Sequence, residues 1–149
     1  MTRREIREQV FILLFISGFY SEEEREEQLS LYLDSLEELD DADRAVIRQK
    51  TCHVLEKTDE IDALVGQASE GWRISRMSRT DLCLLRLAVY EMKWDEKVPV
   101  GVAINEAVEL AKQYGGADSS ASFVNGILGK IARTQQEASS PQADPSGET

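Results

Sequence analysis

Val98 to Ile131 reads VPVGVAINEAVELAKQYGGADSSASFVNGILGKI. Its spacing predicts two helices about a glycine hinge. Pro99 has a fixed φ suited to a helix entry. Val102, Ala103, Val108, Leu110 and Ala111 recur at helical intervals, and Ile104 and Ala107 widen the stripe. Tyr114-Gly115-Gly116 ends the run, because glycine accepts the left-handed backbone at a helix C-terminus. Asp118, Ser119 and Ser120 can each accept a hydrogen bond from the free N–H groups of the next helix. Phe123, Val124, Ile127, Leu128 and Ile131 supply its apolar stripe.

The rest of the chain points the same way. A length of 149 residues, 42% of them hydrophobic and 30% charged, fits one domain with a core. Of the three prolines, Pro141 and Pro145 fall near the C-terminus, so little interrupts helices in the body. Strand-like alternation is scarce, and the expected class is all-α, a compact bundle of about seven helices. Thr2 can cap a first helix running to about Ser17, apolar around most of its circumference from Ile6 to Ile16, which marks a central position. Ser21 and Glu24 have capping-box spacing ahead of Leu29, Tyr32, Leu33 and Leu36. Asp40 or Asp41 opens a third helix with Val46, Ile47, Val54 and Leu55 inward; Thr58 or Asp59 opens a fourth with Ile61, Leu64 and Val65. Trp72 reads as an aromatic anchor in a turn. Ser78 and Asp81 have capping-box spacing before the apolar run to Glu91. The domain is expected over 1–134. Residues 135–149, with no apolar stripe, are expected to form a disordered tail.

Several function classes are disfavoured. Cys52 and Cys83 form no disulfide framework, and a reduced cytosol is the simplest setting. Arg3, Arg4 and Arg7 before an apolar run imitate a signal peptide, but Glu5 and Glu8 interrupt the basic region and no cleavage site follows. His53 and Cys52 are adjacent, so on a helix they diverge rather than share a metal. Gly115-Gly116 lacks the lysine and preceding strand of a phosphate loop. Neither an enzyme nor a bound cofactor or metal is expected.

The net charge of −11 repels nucleic acid at long range, so an RNA binder would need a local basic patch or a basic partner. Arg3, Arg4 and Arg7 offer such a patch: Arg3 and Arg7 share a helix face and Arg4 flanks it. An ordinary charged helix end is the alternative. Tyr114 can stack an unpaired base or close the core beneath the hinge. The acidic run from Glu22 to Asp43 is a solvated face or a dock for a basic protein.

VAINEAVELAK, the Tyr-Gly-Gly turn and FVNGILGKI closely resemble the C-terminal signature of the NusB family of bacterial antitermination factors. Trp72 to Met77 and Thr80 to Glu91, with Leu85-Arg86 and Tyr90-Glu91, resemble the same family. The resemblance implies a NusB-like helical fold and a non-catalytic, cytoplasmic RNA-binding adaptor. It implies binding of boxA-type single-stranded RNA together with NusE, a small-subunit ribosomal protein. The result would be transcription antitermination, including of ribosomal RNA operons, through a complex on RNA polymerase. It places RNA contacts at Arg3, Arg4 and Arg7 and at the turn holding Tyr114, Asp118, Ser122 and Phe123, and partner contact at Asp81. Two departures stand out: Ser122 replaces the family's frequent lysine, and Asp118 to Phe123 is one residue longer than the usual spacing. They motivate an alternative, a helical protein–protein module that has lost RNA binding. Related domains also precede some ribosomal-RNA cytosine methyltransferases, but this sequence carries no cofactor-binding domain. Membrane association is not expected; homodimer formation is left open.

Overall fold

The computed structural model describes residues 1–70 and 73–139; Trp72 lies outside them. The described residues form seven α-helices and one 3-10 turn, without a strand. In order they are α1 (Arg3–Ser17), α2 (Glu22–Asp34), α3 (Asp41–Glu56), α4 (Thr58–Ala68), the turn Ile74–Arg76, α5 (Arg79–Trp94), α6 (Val100–Tyr114) and α7 (Ser120–Ser139). Helix α7 thus continues past position 134, and residues 140–149 lie outside the described part. No described helix is long and apolar enough to cross a membrane.

Local chemistry explains the helix starts. Thr2 and Glu5 form a complete capping box on α1: the Thr2 hydroxyl accepts from the Glu5 N–H at 3.0 Å, and the Thr2 N–H donates to Glu5 Oε1 at 2.8 Å. Ser21, Asp40 and Ser78 cap α2, α3 and α5 in the forward direction. Glu24 does not complete the box at α2, because its carboxylate accepts from the Ser21 hydroxyl instead. Pro99 stands just ahead of α6, and its carbonyl accepts from Val102 and Ala103 N–H groups.

Helix α5 is the hub. It packs against α1, α3, α4, α6 and α7, and every residue from Leu87 to Met92 is buried. Helix α1 packs on α2, α3 and α5 but keeps Ile6, Ile12, Phe15 and Ile16 only half-buried, so it is less enclosed than its composition predicts. Two expected core residues are displaced outward: Val46 is 47% exposed and Val102 44%. On α3 the inward places go to Ile47, Thr51 and Val54, with the Thr51 hydroxyl donating to the Ile47 carbonyl. On α6 they go to Ala103, Ala107, Leu110 and Ala111, together with Glu106.

Candidate nucleic-acid interface

The first turns of α1 reach α6 through their side chains, and three polar ties link the two helices. Arg4 donates from Nε and Nη2 to the two oxygens of Glu106, at 2.9 and 2.7 Å, in a forked pair. One turn further on, Glu8 accepts from the Tyr114 hydroxyl and, at 3.2 Å, from Gln113. Tyr114 directly precedes the glycine hinge. The basic corner and the hinge therefore sit along one edge of the molecule, as the adaptor reading requires.

The three arginines do different work. Arg3 is exposed and, among the described residues, makes no hydrogen bond or ion pair. Arg4 is exposed but oriented by Glu106. That pairing holds the Glu106 carboxyl below its ordinary pKa and raises that of Arg4. Arg7, expected beside them on the RNA face, is instead 7% exposed. Its Nε lies 2.9 and 3.1 Å from the oxygens of Glu91, itself 1% exposed, and its Nη1 lies 3.6 Å from Glu106. Lys50 from α3 closes the network, 2.5 Å from Glu91 and 3.4 Å from Asp95. A buried carboxylate demands a cation, and α5 offers no cation at that point, so α1 and α3 supply them. Arg7 is thus a structural residue that supports the corner from beneath.

The hinge is shaped by crowding. None of the described glycines takes a left-handed φ; that conformation falls at Glu38, φ 62°, between α2 and α3. Gly115 has φ −66° and ψ 140°, which any residue can adopt. A Cβ there would lie 2.4 Å from the Ala111 carbonyl oxygen and 2.6 Å from Ser120 Cβ. Glycine is needed because α6 and α7 meet backbone to side chain, not for backbone freedom. We expect Gly115→Ala to lower stability by about 1–3 kcal/mol, an overpacking cost. Gly116→Ala, with nothing within 4 Å of the added carbon, should leave the thermal midpoint almost unmoved.

Around the hinge, Asp118 and Ser122 are exposed, whereas Phe123 is half-buried against the core. The Tyr114 ring packs on Phe11 at a centroid distance of 5.1 Å, so one of its faces is already occupied. Burial, with the Glu8 carboxylate beside it, pushes the Tyr114 hydroxyl up to about 12. It therefore remains a hydrogen-bond donor throughout neutral conditions.

Asp81, singled out for partner contact, opens α5 beside the same hinge. A groove of about 600 Å³ is lined by Met77, Ser78, Asp81, Ala117, Ser122 and Phe123, among others. The Asp81 N–H donates to Ser78 Oγ at 3.0 Å. Asp81 Oδ1 is shielded from solvent and has no hydrogen-bond partner. The expected capping box is thus half-formed, and one carboxylate oxygen is enclosed without a donor. The His53 ring meets Tyr90 OH at 3.3 Å. No group of three or more metal-ligating side chains occurs among the described residues.

Comparison with known proteins gives this arrangement a lineage. A model of the NusB family matches residues 3–133. Transcription antitermination protein NusB of Lachnoclostridium phytofermentans is 51% identical over 131 residues, covering 88% of this chain and 98% of that protein. The Agathobacter rectalis protein of the same name is 48% identical over 132 residues, 89% of this chain and 100% of its own. The solved structure of T. maritima NusB aligns with a TM-score of 0.77 at 34% identity, covering 89% of this chain and 92% of that one. A structure of antitermination factors NusB and NusE in complex with dsRNA shares the fold, with a TM-score of 0.72 at 21% identity over 89% of this chain and 96% of that one. A family match over nearly the whole helical body, joined to the half identity of its relatives, leads to one conclusion: the chain belongs to the NusB family.

Proposed function

We propose that this chain is a non-catalytic RNA-binding adaptor in the cytoplasm that promotes transcription antitermination, including of ribosomal RNA operons. It binds boxA-type single-stranded RNA together with NusE and helps load an antitermination complex onto RNA polymerase. The observation that carries the reading is the shared edge between the α1 start and the glycine hinge, fastened by Arg4–Glu106 and Glu8–Tyr114. Arg3 and Arg4 supply cations for phosphates, and the exposed Asp118 and Ser122 offer hydrogen bonds to base edges. The name of its relatives, transcription antitermination protein, supports the biological setting.

A basic ribosomal partner suits a chain of net charge −11, since complementary fields speed encounter and restrict partners. It also provides cations that the altered turn lacks. Asp81, in the lining of the groove beside the hinge, is the contact we assign to it.

The test is a titration of boxA-type RNA with and without NusE at several salt concentrations. Tighter binding with NusE, weakening as salt rises, is the expected outcome. Absence of RNA binding even with NusE would favour the protein–protein module. Asp81→Arg should weaken the NusE pair roughly tenfold or more by placing like charges together, with an unchanged thermal midpoint. A large drop in that midpoint would instead assign Asp81 to the helix cap.

A further inference from the structure

At the other end of α1 lies a cavity of about 530 Å³, formed where α1, α2, the end of α3, α4, the 3-10 turn and α5 converge. Its size lies within the range of small-molecule sites. Helix α1 has 15 residues and rises about 1.5 Å per residue, so roughly 20 Å separates this cavity from Arg3 and Arg4. The cavity is thus remote from Arg3 and Arg4, although Met77 lines both it and the groove beside Asp81.

The cavity's charge is unlike that of the chain. Arg25, Arg79 and Arg86 line it, and among the described residues no carboxylate does. Arg25 Nε is shielded from solvent without a hydrogen-bond partner, and Arg25 forms no ion pair among the described residues. Arg79 has none either; its guanidinium lies 4.3 Å from the Phe19 ring centroid. Arg86 gives Nε and Nη2 to Asp62, at 2.9 and 2.8 Å, which leaves Nη1. With Asp62 balancing one guanidinium, two positive charges are left over. An orphaned, desolvated Nε costs free energy until an acceptor meets it. Leu55, Met77 and Leu82 form an apolar wall on the same cavity.

Gly18 is part of the construction. Its φ of −70° is open to any residue, yet a Cβ there would lie 2.0 Å from Arg79 Nη1. An added methyl would make the end of this exposed, flexible arginine shift.

We propose that this cavity is a binding site for a phosphate monoester with an apolar or aromatic body, a ligand of nucleotide size. A monoester carries a charge of about −1.5 to −2 at pH 7 and three acceptor oxygens, which matches the unbalanced guanidiniums. A carboxylate would leave one of them unmatched. The body lies against Leu55, Met77 and Leu82. The monoester is supplied either by a free nucleotide or by the 5′-phosphate end of an RNA strand.

Calorimetric titration of the full chain with adenosine 5′-monophosphate, inorganic phosphate and adenosine tests the assignment. The nucleotide should bind at one site and more tightly than either part alone. Arg25→Gln and Arg79→Gln should each weaken it about tenfold, the loss of a charge-assisted hydrogen bond. Gly18→Ala, which only shifts the end of the Arg79 side chain, should weaken it less than Arg79→Gln does, with the helical circular dichroism spectrum retained. A pair of short oligoribonucleotides, 5′-phosphorylated and 5′-hydroxyl, separates the sources. A preference for the phosphorylated strand that vanishes in Arg25→Gln assigns the site to strand ends; nucleotide binding without that preference assigns it to free nucleotides. The proposal is overturned if neither probe saturates, or if binding is the same in folded Arg25→Gln and Arg79→Gln proteins.

Discussion

Arg7→Ala is expected to destabilise the protein by about 3 kcal/mol or more, the usual result of stranding one partner of a buried ion pair. In a chain of this length each kcal/mol moves the thermal midpoint by about 2–4 °C, so a drop near 10 °C should be seen in a circular dichroism melt. The reason is Glu91, whose carboxylate is almost wholly enclosed and takes both of its oxygens' contacts to Arg7 Nε. Lys50 remains and limits the damage. Replacing Arg7 and Glu91 together by leucine should cost less than the two single changes combined, because no enclosed charge is then left without its counter-ion. Equal and additive losses would show that the pair acts only as filler. Glu106 gives the same corner a separate pH signature. Its carboxyl is held below the ordinary value, first by the Arg4 hydrogen bond, so its contribution is complete above the unfolded carboxylate range. That contribution is lost as pH falls through the depressed folded value.

Arg3→Ala with Arg4→Ala should act in the opposite way: small on stability, large on RNA. Both side chains are exposed; Arg4 also ties α1 to α6 through Glu106, but Arg7 still faces that carboxylate when Arg4 is removed, which keeps the stability cost small. For a single strand each phosphate contact contributes roughly 0.7 to the slope of log K against log salt, so the double variant should flatten that slope by about 1.4. At low salt we expect affinity to fall roughly tenfold per contact. A slope unchanged within error would remove both arginines from the RNA surface. The contrast with Arg7→Ala matters, because loss of RNA binding there would follow from loss of fold. Only a comparison at a temperature where all variants are folded separates the two.

The helices themselves were legible, since their stripes are local. Val124, Ile127, Leu128 and Ile131 are buried on α7 as their spacing predicts, and so are Val10, Leu13 and Leu14 on α1. The fate of Arg7 was not legible from the arginine cluster alone, because its partners stand 84 and 99 positions away. A signal was nevertheless present. Arg7 falls on the same face as Val10 and Leu14, Glu91 ends an apolar run, and Glu106 lies between Ala103 and Leu110. Charges of opposite sign embedded in separate apolar stripes can be reconciled only by meeting one another. Gly115 misled for a different reason. A glycine at a helix end usually marks a left-handed turn. Here the close approach of Ser120 and Ala111 imposes it, and packing between helices leaves no local trace in composition. The apposition of Asp81 with Ser122 and Phe123 was equally hidden, because α5 and the hinge join only through the fold.

Glu106 touches two guanidiniums, one facing water and one sealed inside. Were an incoming phosphate to draw Arg4 outward, as the proposed function requires, the carboxylate would still face Arg7 and no anion would be abandoned within the protein. A corner built this way would lend a cation to a passing strand and take it back without disturbing the interior.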